Sequence, residues 1–483
     1  MPTFACSLNE ETTPLNHVWE HTVGSGHAAL ALRADWRAQL ERCRRELGFR
    51  HVRFHGLLTH PMDIVVHRDD KALYSFFNAD QIFDYLLSIG MKPFVELSFM
   101  PDALASGTKT AFSYRANVTA PKDPRQWTAL IRKAVGHWIE RYGAEEVRSW
   151  YFEVWNEPNL TVFGTGLQED YFALYRLTVE AIKSVDGALR VGGPATANGE
   201  WVADFVAFTQ KHDLAADFIT THQYPTDAFG SPGDDTEHQL AKSTRGFMRE
   251  RALDARREAA GRPLYYTEWS TSSNPRDKLH DEPFAAAFAT NILMSVDDTV
   301  DGYSWWTFSD IFDENQMPGT AFEGGFGLLS IHGIAKPVYR AFELLHKLGH
   351  RQLVVDGRHD TVSAWVVMSD DGTRATLLLT NHALPLHSVR TETVRFELRD
   401  APTPLSASIE RVDDEHANAP GAWRHMGQPN DLHAEKLEQL HEASRLVVEK
   451  LDFHYADGVT VVELQLPPHG VAAVTLELGP SAT

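Results

Sequence analysis

Two acidic residues and two histidines stand where short apolar runs of this chain end. WYFEVWNEPN finishes in Asn156-Glu157-Pro158, PLYYTEWS in Glu268, HVRFH in His55, and FITTHQY in His222 and Tyr224. Breaking an acetal requires a proton delivered to a poor leaving oxygen and negative charge set against an oxocarbenium-like carbon, and one carboxyl group cannot do both at once. Two carboxyl groups in opposite protonation states can. At about 5 Å apart the second attacks directly and configuration is retained, whereas about 6.5–9.5 Å admits a water and inverts it. The acid must hold its proton near neutral pH, and the nearby anionic nucleophile is expected to raise its pKa.

A lone strand-end Glu is more often a solvated loop residue, so the pair carries the argument. Glu153 and Glu96 are rival acids, but Glu153 lies about 13 Å before Glu157 along an extended strand, too deep to share a substrate bond. Strict alternation would put Glu153, Trp155 and Glu157 on one face and turn Asn156 away; a kink just before Pro158 brings both Asn156 and Glu157 inward. His55 and His222 read equally well as core histidines satisfied by backbone. No His-x-His pair or other close ligand cluster points to a metal, and no cofactor is expected.

The elements that must position these residues are short β-rich runs alternating with segments of helical period. The eight runs are 18–23, 51–55, 92–99, 149–156, 189–193, 217–223, 263–269 and 302–308. Between them, DWRAQLERCRREL, DPRQWTALIRKAVGHWIERY and EDYFALYRLTVEAIKSV repeat apolar residues at three and four, and Asp123-Pro124 reads as an N-cap with proline at the first helical position. This predicts an α/β chain: a (β/α)8 TIM barrel over residues 14–349. Strands four and seven then face one pocket from opposite sides of a barrel only side-chain wide.

After about residue 348 strand-like alternation dominates, predicting an accessory antiparallel β-sandwich over 350–483, with residues 1–13 as a further edge. VSAWVVM and TRATLLLT flank the hairpin signal Asp370-Asp371-Gly372, and VTVVELQL and VAAVTLEL flank Pro467-Pro468-His469-Gly470. DLHAEKLEQLHEASRLVVEK reads as a helical excursion. No low-complexity linker separates the two parts, so they are expected to pack closely.

Composition narrows the partners. A net charge of −21 over 483 residues repels a phosphate backbone or an anionic membrane surface, so neither nucleic acid nor membrane is expected. No run approaches a membrane span, and the start shows no signal sequence; with two cysteines only, Cys6 and Cys43, a cytoplasmic location is expected. Oligomeric state is not legible.

HVRFHG, KPFVELSFMP, WYFEVWNEPN, RVGGPAT, His222-Gln223-Tyr224, YYTEWS, YSWWTFSDIFDE and GGFGLL with KPVYRAFELLHKLG together resemble glycoside hydrolase family 39, in its β-xylosidase branch. The resemblance implies a barrel with a β-sandwich, retaining cleavage, and release of D-xylose from the non-reducing ends of xylo-oligosaccharides or other β-xylosides. It places the acid/base at Glu157 and the nucleophile at Glu268. It implies sugar contacts from His55, Asn156, His222, Tyr224 and Glu314, an apolar floor at Trp306, and an aromatic on the aglycone side at Phe112. A uronate substrate, as in the related α-L-iduronidases, would sit badly beside Glu314; the strand ends offer it chiefly Arg53, which reads as a structural strand residue. α-L-Arabinosides share the outline of xylosides and are the nearest alternative substrate. Outside the family, the alternatives are a glycan-binding protein, which has no use for the acid and nucleophile together, and a metal-dependent sugar isomerase, which needs clustered ligands at several strand ends.

Overall fold

The computed structural model describes residues 1–68, 71–226 and 235–478. Eight parallel strands, Thr22–His27, His51–His55, Lys92–Leu97, Tyr151–Val154, Arg190–Thr196, Phe218–His222, Leu264–Trp269 and Gly302–Trp305, form a closed barrel in chain order, sealed where Trp305 pairs with Val23. The helices between them bury the stripes their periodicity announces. Pro124–Tyr142 buries Trp127, Leu130, Ile131, Ala134, Val135 and Trp138, and the Asp123 side chain caps it by accepting the Arg125 N–H at 3.0 Å.

The first strand departs from expectation. Residues 18–20 form a 3-10 turn, and the strand begins at Thr22 and runs through Gly24-Ser25-Gly26. Asp297 accepts the backbone N–H groups of Asn16 (2.6 Å) and Val18 (3.2 Å), tying that segment outside the ladder. The strand's small residues have poor β-propensity, yet space selects them: a Cβ on Gly24 would stand 2.5 Å from Trp306 Cε3 and 3.0 Å from Trp305 O, and one on Gly26 2.8 Å from Phe312 Cδ2.

Period-2 alternation sets the barrel interior in layers. Phe94, Tyr151, Phe218 and Tyr265 form an aromatic floor, with Phe94 stacked on Tyr151 at 4.9 Å, and His21 and His51 pack against it. Two residues further along each strand the layer turns polar, with Arg53, Glu96, Glu153 and Thr267, and Glu96 pairs in register with Glu153. The floor closes one end, so chemistry belongs at the carboxyl end of the strands.

The sandwich packs a four-stranded sheet on a seven-stranded one. Thr3–Ser7 is an edge strand of the first, parallel to Glu392–Arg399. Val362–Met368 and Arg374–Asn381 form the expected hairpin. Residues 467–470 do not make a second one: Val459–Leu466 pairs with Glu392–Arg399 and Val471–Glu477 with Arg374–Asn381, so the turn carries the chain from one sheet to the other. Asn381 fixes that crossing, its Nδ2 donating to Leu466 O at 3.0 Å and Pro467 O at 3.2 Å. The helical excursion is Ala434–Ala443. Val367, Leu378, Val412 and Val471 of the sandwich join the barrel's apolar core, so the two parts share one packed boundary. Cys6 and Cys43 are buried and unbonded to each other. No helix among the described residues is long and apolar enough to cross a membrane.

Gly24→Ala tests the close approach of the first strand to the 305–306 segment. It is expected to lower unfolding free energy by about 1–3 kcal/mol in denaturant titration. An unchanged midpoint would mean that the segment moves freely.

Candidate active site

Arg53 stands at the centre of the polar layer, fully buried, with every arm of its guanidinium engaged. Nε donates to Glu153 Oε2 at 2.6 Å, Nη1 to Glu268 Oε1 at 2.7 Å, and Nη2 to Asn156 Oδ1 at 2.9 Å, with Glu96 Oε2 2.8 Å from Nη2. Planar, fixed-geometry donors suit this shared recognition of carboxylates better than an ammonium would. Arg53 is therefore more than the structural strand residue expected from the sequence, because it touches Glu268 directly. The signal was present: HVRFH places His51, Arg53 and His55 on one strand face. Glu153 sits in the layer below, as its spacing predicted, and is bonded to Arg53 and Thr267.

The chain leaves the fourth strand through a sharp kink. Trp155 and Glu157 have φ of 71° and 42°, the left-handed region that side chains other than glycine seldom adopt. The Trp155 indole donates to Phe163 O at 2.8 Å and the Glu157 N–H to Ala195 O at 2.8 Å, and these bonds hold the bend. Alternation is broken as anticipated, and Asn156 and Glu157 both reach the interior.

Hydrogen-bond accounting assigns the proton on Glu157. Thr267 Oγ1 donates to Glu153 Oε1 at 2.9 Å, so its remaining lone pairs accept from His222 Nε2, 3.1 Å away. His222 Nδ1 is then an acceptor, 2.9 Å from Glu157 Oε1, and takes that carboxyl's O–H. Burial holds the His222 pKa down to about 4 and keeps the ring neutral. Burial likewise pushes Glu157 up to about 7, only partly opposed by His55 and Arg53. The expected cause, the neighbouring nucleophile, is thus replaced by desolvation as the main one.

Glu268 ends the seventh strand, where a bulge next to His222 turns it inward. Besides Arg53 it accepts the Tyr224 hydroxyl, at 3.1 Å. Oxygens of Glu157 and Glu268 lie within 4.8 Å of each other, with His222 Nδ1 between them. His55 Nδ1 is 2.7 Å from Glu96 Oε2, and Nε2 is 3.5 Å from Glu268 and 3.6 Å from Glu314. Burial opposes its protonation, but Glu96 and Glu314 outweigh it and push the imidazole up to about 9, so it is a cation at neutral pH. Burial, reinforced by Glu268 among its neighbours and opposed by His55, holds the Glu314 carboxyl well above the usual range. Its Oε1 has no hydrogen-bond partner among the described residues and is available to a ligand hydroxyl.

One wall is aromatic. Trp306 lies 4.7 Å from the His55 ring and clusters with Phe312, Phe326 and Tyr224. Opposite, Phe112 stacks on His55 at 5.7 Å and 16°, beside Phe99 and Phe163. It rides on a hairpin tied to the last strand's loop, where Ser113 N–H donates to Glu314 O at 2.8 Å. All nine residues singled out from the sequence therefore meet at one site. Phe312 and Phe326 were missed, because each follows the eighth strand by a loop whose path leaves no periodic signal.

Among the described residues, Glu157, His222 and Glu268 are the group that could hold a cation. The lone pairs they would offer already accept from Arg53, Tyr224 and the Glu157 carboxyl, so a metal would have to break that network. Two carboxyl groups, one held protonated by burial and one held by a guanidinium, are equipped for proton transfer paired with nucleophilic attack.

The chain matches glycosyl hydrolases family 39 over residues 5–459. It is 45% identical over 469 residues to a beta-xylosidase of Caldicellulosiruptor saccharolyticus, covering 96% of each chain. To a beta-xylosidase of Geobacillus stearothermophilus it is 35% identical over 472 residues, or 95% of this chain and 92% of that one. The crystal structure of a monomeric beta-xylosidase from Caulobacter crescentus CB15 superposes with a TM-score of 0.87 at 33% identity, covering 99% of this chain and 100% of that one. A (β/α)8 barrel with a β-sandwich, paired carboxyl groups at the ends of strands four and seven, and a family match spanning nearly the whole sequence lead to one conclusion: this chain belongs to glycosyl hydrolases family 39.

Proposed function

We propose that this protein is a retaining, exo-acting β-D-xylosidase that releases D-xylose from the non-reducing end of xylo-oligosaccharides. The observation that carries the reading is the pair itself: Glu157, its proton held by burial, beside Glu268, which Arg53 and Tyr224 orient, with an oxygen of each within 4.8 Å of the other. Its beta-xylosidase relatives supply the sugar class.

Glu268, oriented by Arg53 and Tyr224, attacks the anomeric carbon while Glu157 gives its proton to the departing glycosidic oxygen. A covalent xylosyl-enzyme results. Glu157, now a carboxylate, takes a proton from water as the water oxygen attacks the same carbon, Glu268 departs, and the double inversion retains configuration. Because Arg53 binds Asn156 Oδ1, the amide must present its NH2 to the sugar, a donor suited to the 2-hydroxyl. Glu314 and His55 grip the remaining hydroxyls, and Trp306 packs against the C5 edge of the ring, where a hexose would carry its CH2OH. A glycan-binding protein would gain nothing from a buried protonated carboxyl held against a second one.

Three outcomes are expected with an aryl β-D-xyloside. Glu268→Ala lowers kcat by roughly 10⁴-fold or more. Glu157→Ala spares the first step for an activated leaving group, slows deglycosylation by about 10²–10⁴-fold, and is rescued by azide to give the β-xylosyl azide. Full activity in either variant, or α-xylose as first product by NMR, would overturn the assignment. With xylobiose, whose sugar leaving group needs a proton to depart, kcat/KM should fall about tenfold per pH unit above about 7, because only protonated Glu157 serves as acid, and Glu157→Ala should flatten that limb. Exhaustive chelation should leave the rate unchanged; loss restored by a divalent cation would assign the Glu157–His222–Glu268 triangle to a metal.

A further inference from the structure

The aromatic wall is anchored from behind by an ion cluster that the proposed chemistry does not use. Lys336 is wholly buried at the start of the last barrel helix, its Nζ 2.7 Å from Asp281 Oδ1, 2.7 Å from Asp310 Oδ2 and 2.8 Å from Gly325 O. Each aspartate also accepts a backbone N–H from the same short segment: Asp281 Oδ2 from Gly324 and Asp310 Oδ1 from Gly327, both at 2.7 Å. The Gly324 carbonyl is held as well, by His280 Nδ1–H at 2.8 Å and the Asp277 N–H at 3.0 Å. Residues 324–327, Gly-Gly-Phe-Gly, thus have their polar backbone gripped on both sides of a single large side chain, Phe326.

That side chain belongs to the sugar pocket's wall. Phe326 meets Phe312 edge-on at 5.6 Å, Phe312 meets Trp306 at 6.2 Å, and the Phe326 carbonyl accepts the Trp305 indole N–H at 3.1 Å. Three glycines around one phenylalanine would leave this stretch too loose to hold a position unaided. They are also required by the clamp: a Cβ on Gly325 would stand 2.3 Å from Asp310 Oδ1, and one on Gly327 2.3 Å from Asp310 N. Burying two carboxylates around one ammonium is a poor route to stability compared with an apolar core of the same volume. Its merit is directional, because each ion fixes the place of the next.

We propose that Lys336, with Asp281 and Asp310, is a specificity-determining positioning residue: the cluster holds residues 324–327 where Phe326 and Phe312 back Trp306, and so sets the pocket's width for a pentose. This rests on the β-xylosidase reading above. Xylose lacks the exocyclic CH2OH of glucose, so a wall held at the pentose distance rejects hexoses by overlap, and a wall that can retreat admits them.

The test compares β-D-xyloside and β-D-glucoside with the same aryl leaving group, using wild type, Lys336→Met and Asp281→Asn. Ile409→Ala, in the sandwich core, serves as a variant destabilised elsewhere. Folding is followed by circular dichroism and melting temperature. Both clamp variants should raise the xyloside KM by about tenfold with little change in kcat, and raise the glucoside-to-xyloside ratio of kcat/KM by about tenfold. A merely structural role would lower the melting temperature, as Ile409→Ala is expected to, and leave that ratio where it was. Should Lys336→Met not fold, Asp281→Asn decides, since its amide oxygen still accepts the Gly324 N–H. Ratios within about twofold of wild type in folded variants would overturn the clamp. Wild type that hydrolyses no xyloside would instead overturn the functional reading on which the clamp rests.

Discussion

One buried guanidinium organises this molecule. Arg53 reaches Glu96, Glu153, Glu268 and Asn156 from a single inward position of the second strand, and so joins residues of four different strands or strand ends. A charge in so dry a place is tolerable only with partners, and its partners are tolerable only with it. Removing any carboxyl from the ring would leave an arm of a buried cation without its partner. The rest follows from that mutual dependence: Glu268 has one orientation, Asn156 has one amide face to offer, and Glu153 is left free to accept from Thr267, which fixes the His222 tautomer and with it the proton on Glu157.

The protonation pattern is a matter of local supply of positive charge. Arg53 and the His55 imidazolium stand against five carboxyl groups, Glu96, Glu153, Glu157, Glu268 and Glu314. Glu96 is held low because Arg53 and His55 outweigh its burial. At Glu157 and Glu314 burial outweighs the pull of those cations and pushes both carboxyl groups up. One pocket thus contains a carboxyl able to donate a proton a few ångströms from a carboxylate able to attack, without any exotic group. Formation of a covalent intermediate on Glu268 would remove its negative charge, easing the ionisation that Glu157 must undergo in the same step.

Packing supplies the frame for these charges. The aromatic floor below Arg53 excludes water from one side, the kink at residues 155–157 aims two consecutive side chains inward, and Gly24 and Gly26 leave room for Trp306 and Phe312. The sandwich shares apolar core with the barrel, so the frame extends across both parts.

Much of this was legible from the chain alone. Alternation in HVRFH placed three inward layers, strand-terminal Glu157 and Glu268 announced paired carboxyl chemistry, and Asp123-Pro124 marked a helix start, because each depends on neighbours within a few residues. The path of the first strand was not legible, since Gly24-Ser25-Gly26 looks unlike a strand until Trp306 and Phe312 occupy the space beside it. Nor was the sheet crossing at 467–470, because a tight turn looks the same whether the strands beyond it pair or part. Residue types and local periodicity therefore determined which elements form and which end carries the chemistry. Only the tertiary structure decided what Arg53 touches, why Glu157 keeps its proton and how the wall behind Trp306 is held, because burial and charge act across the barrel between residues far apart in sequence.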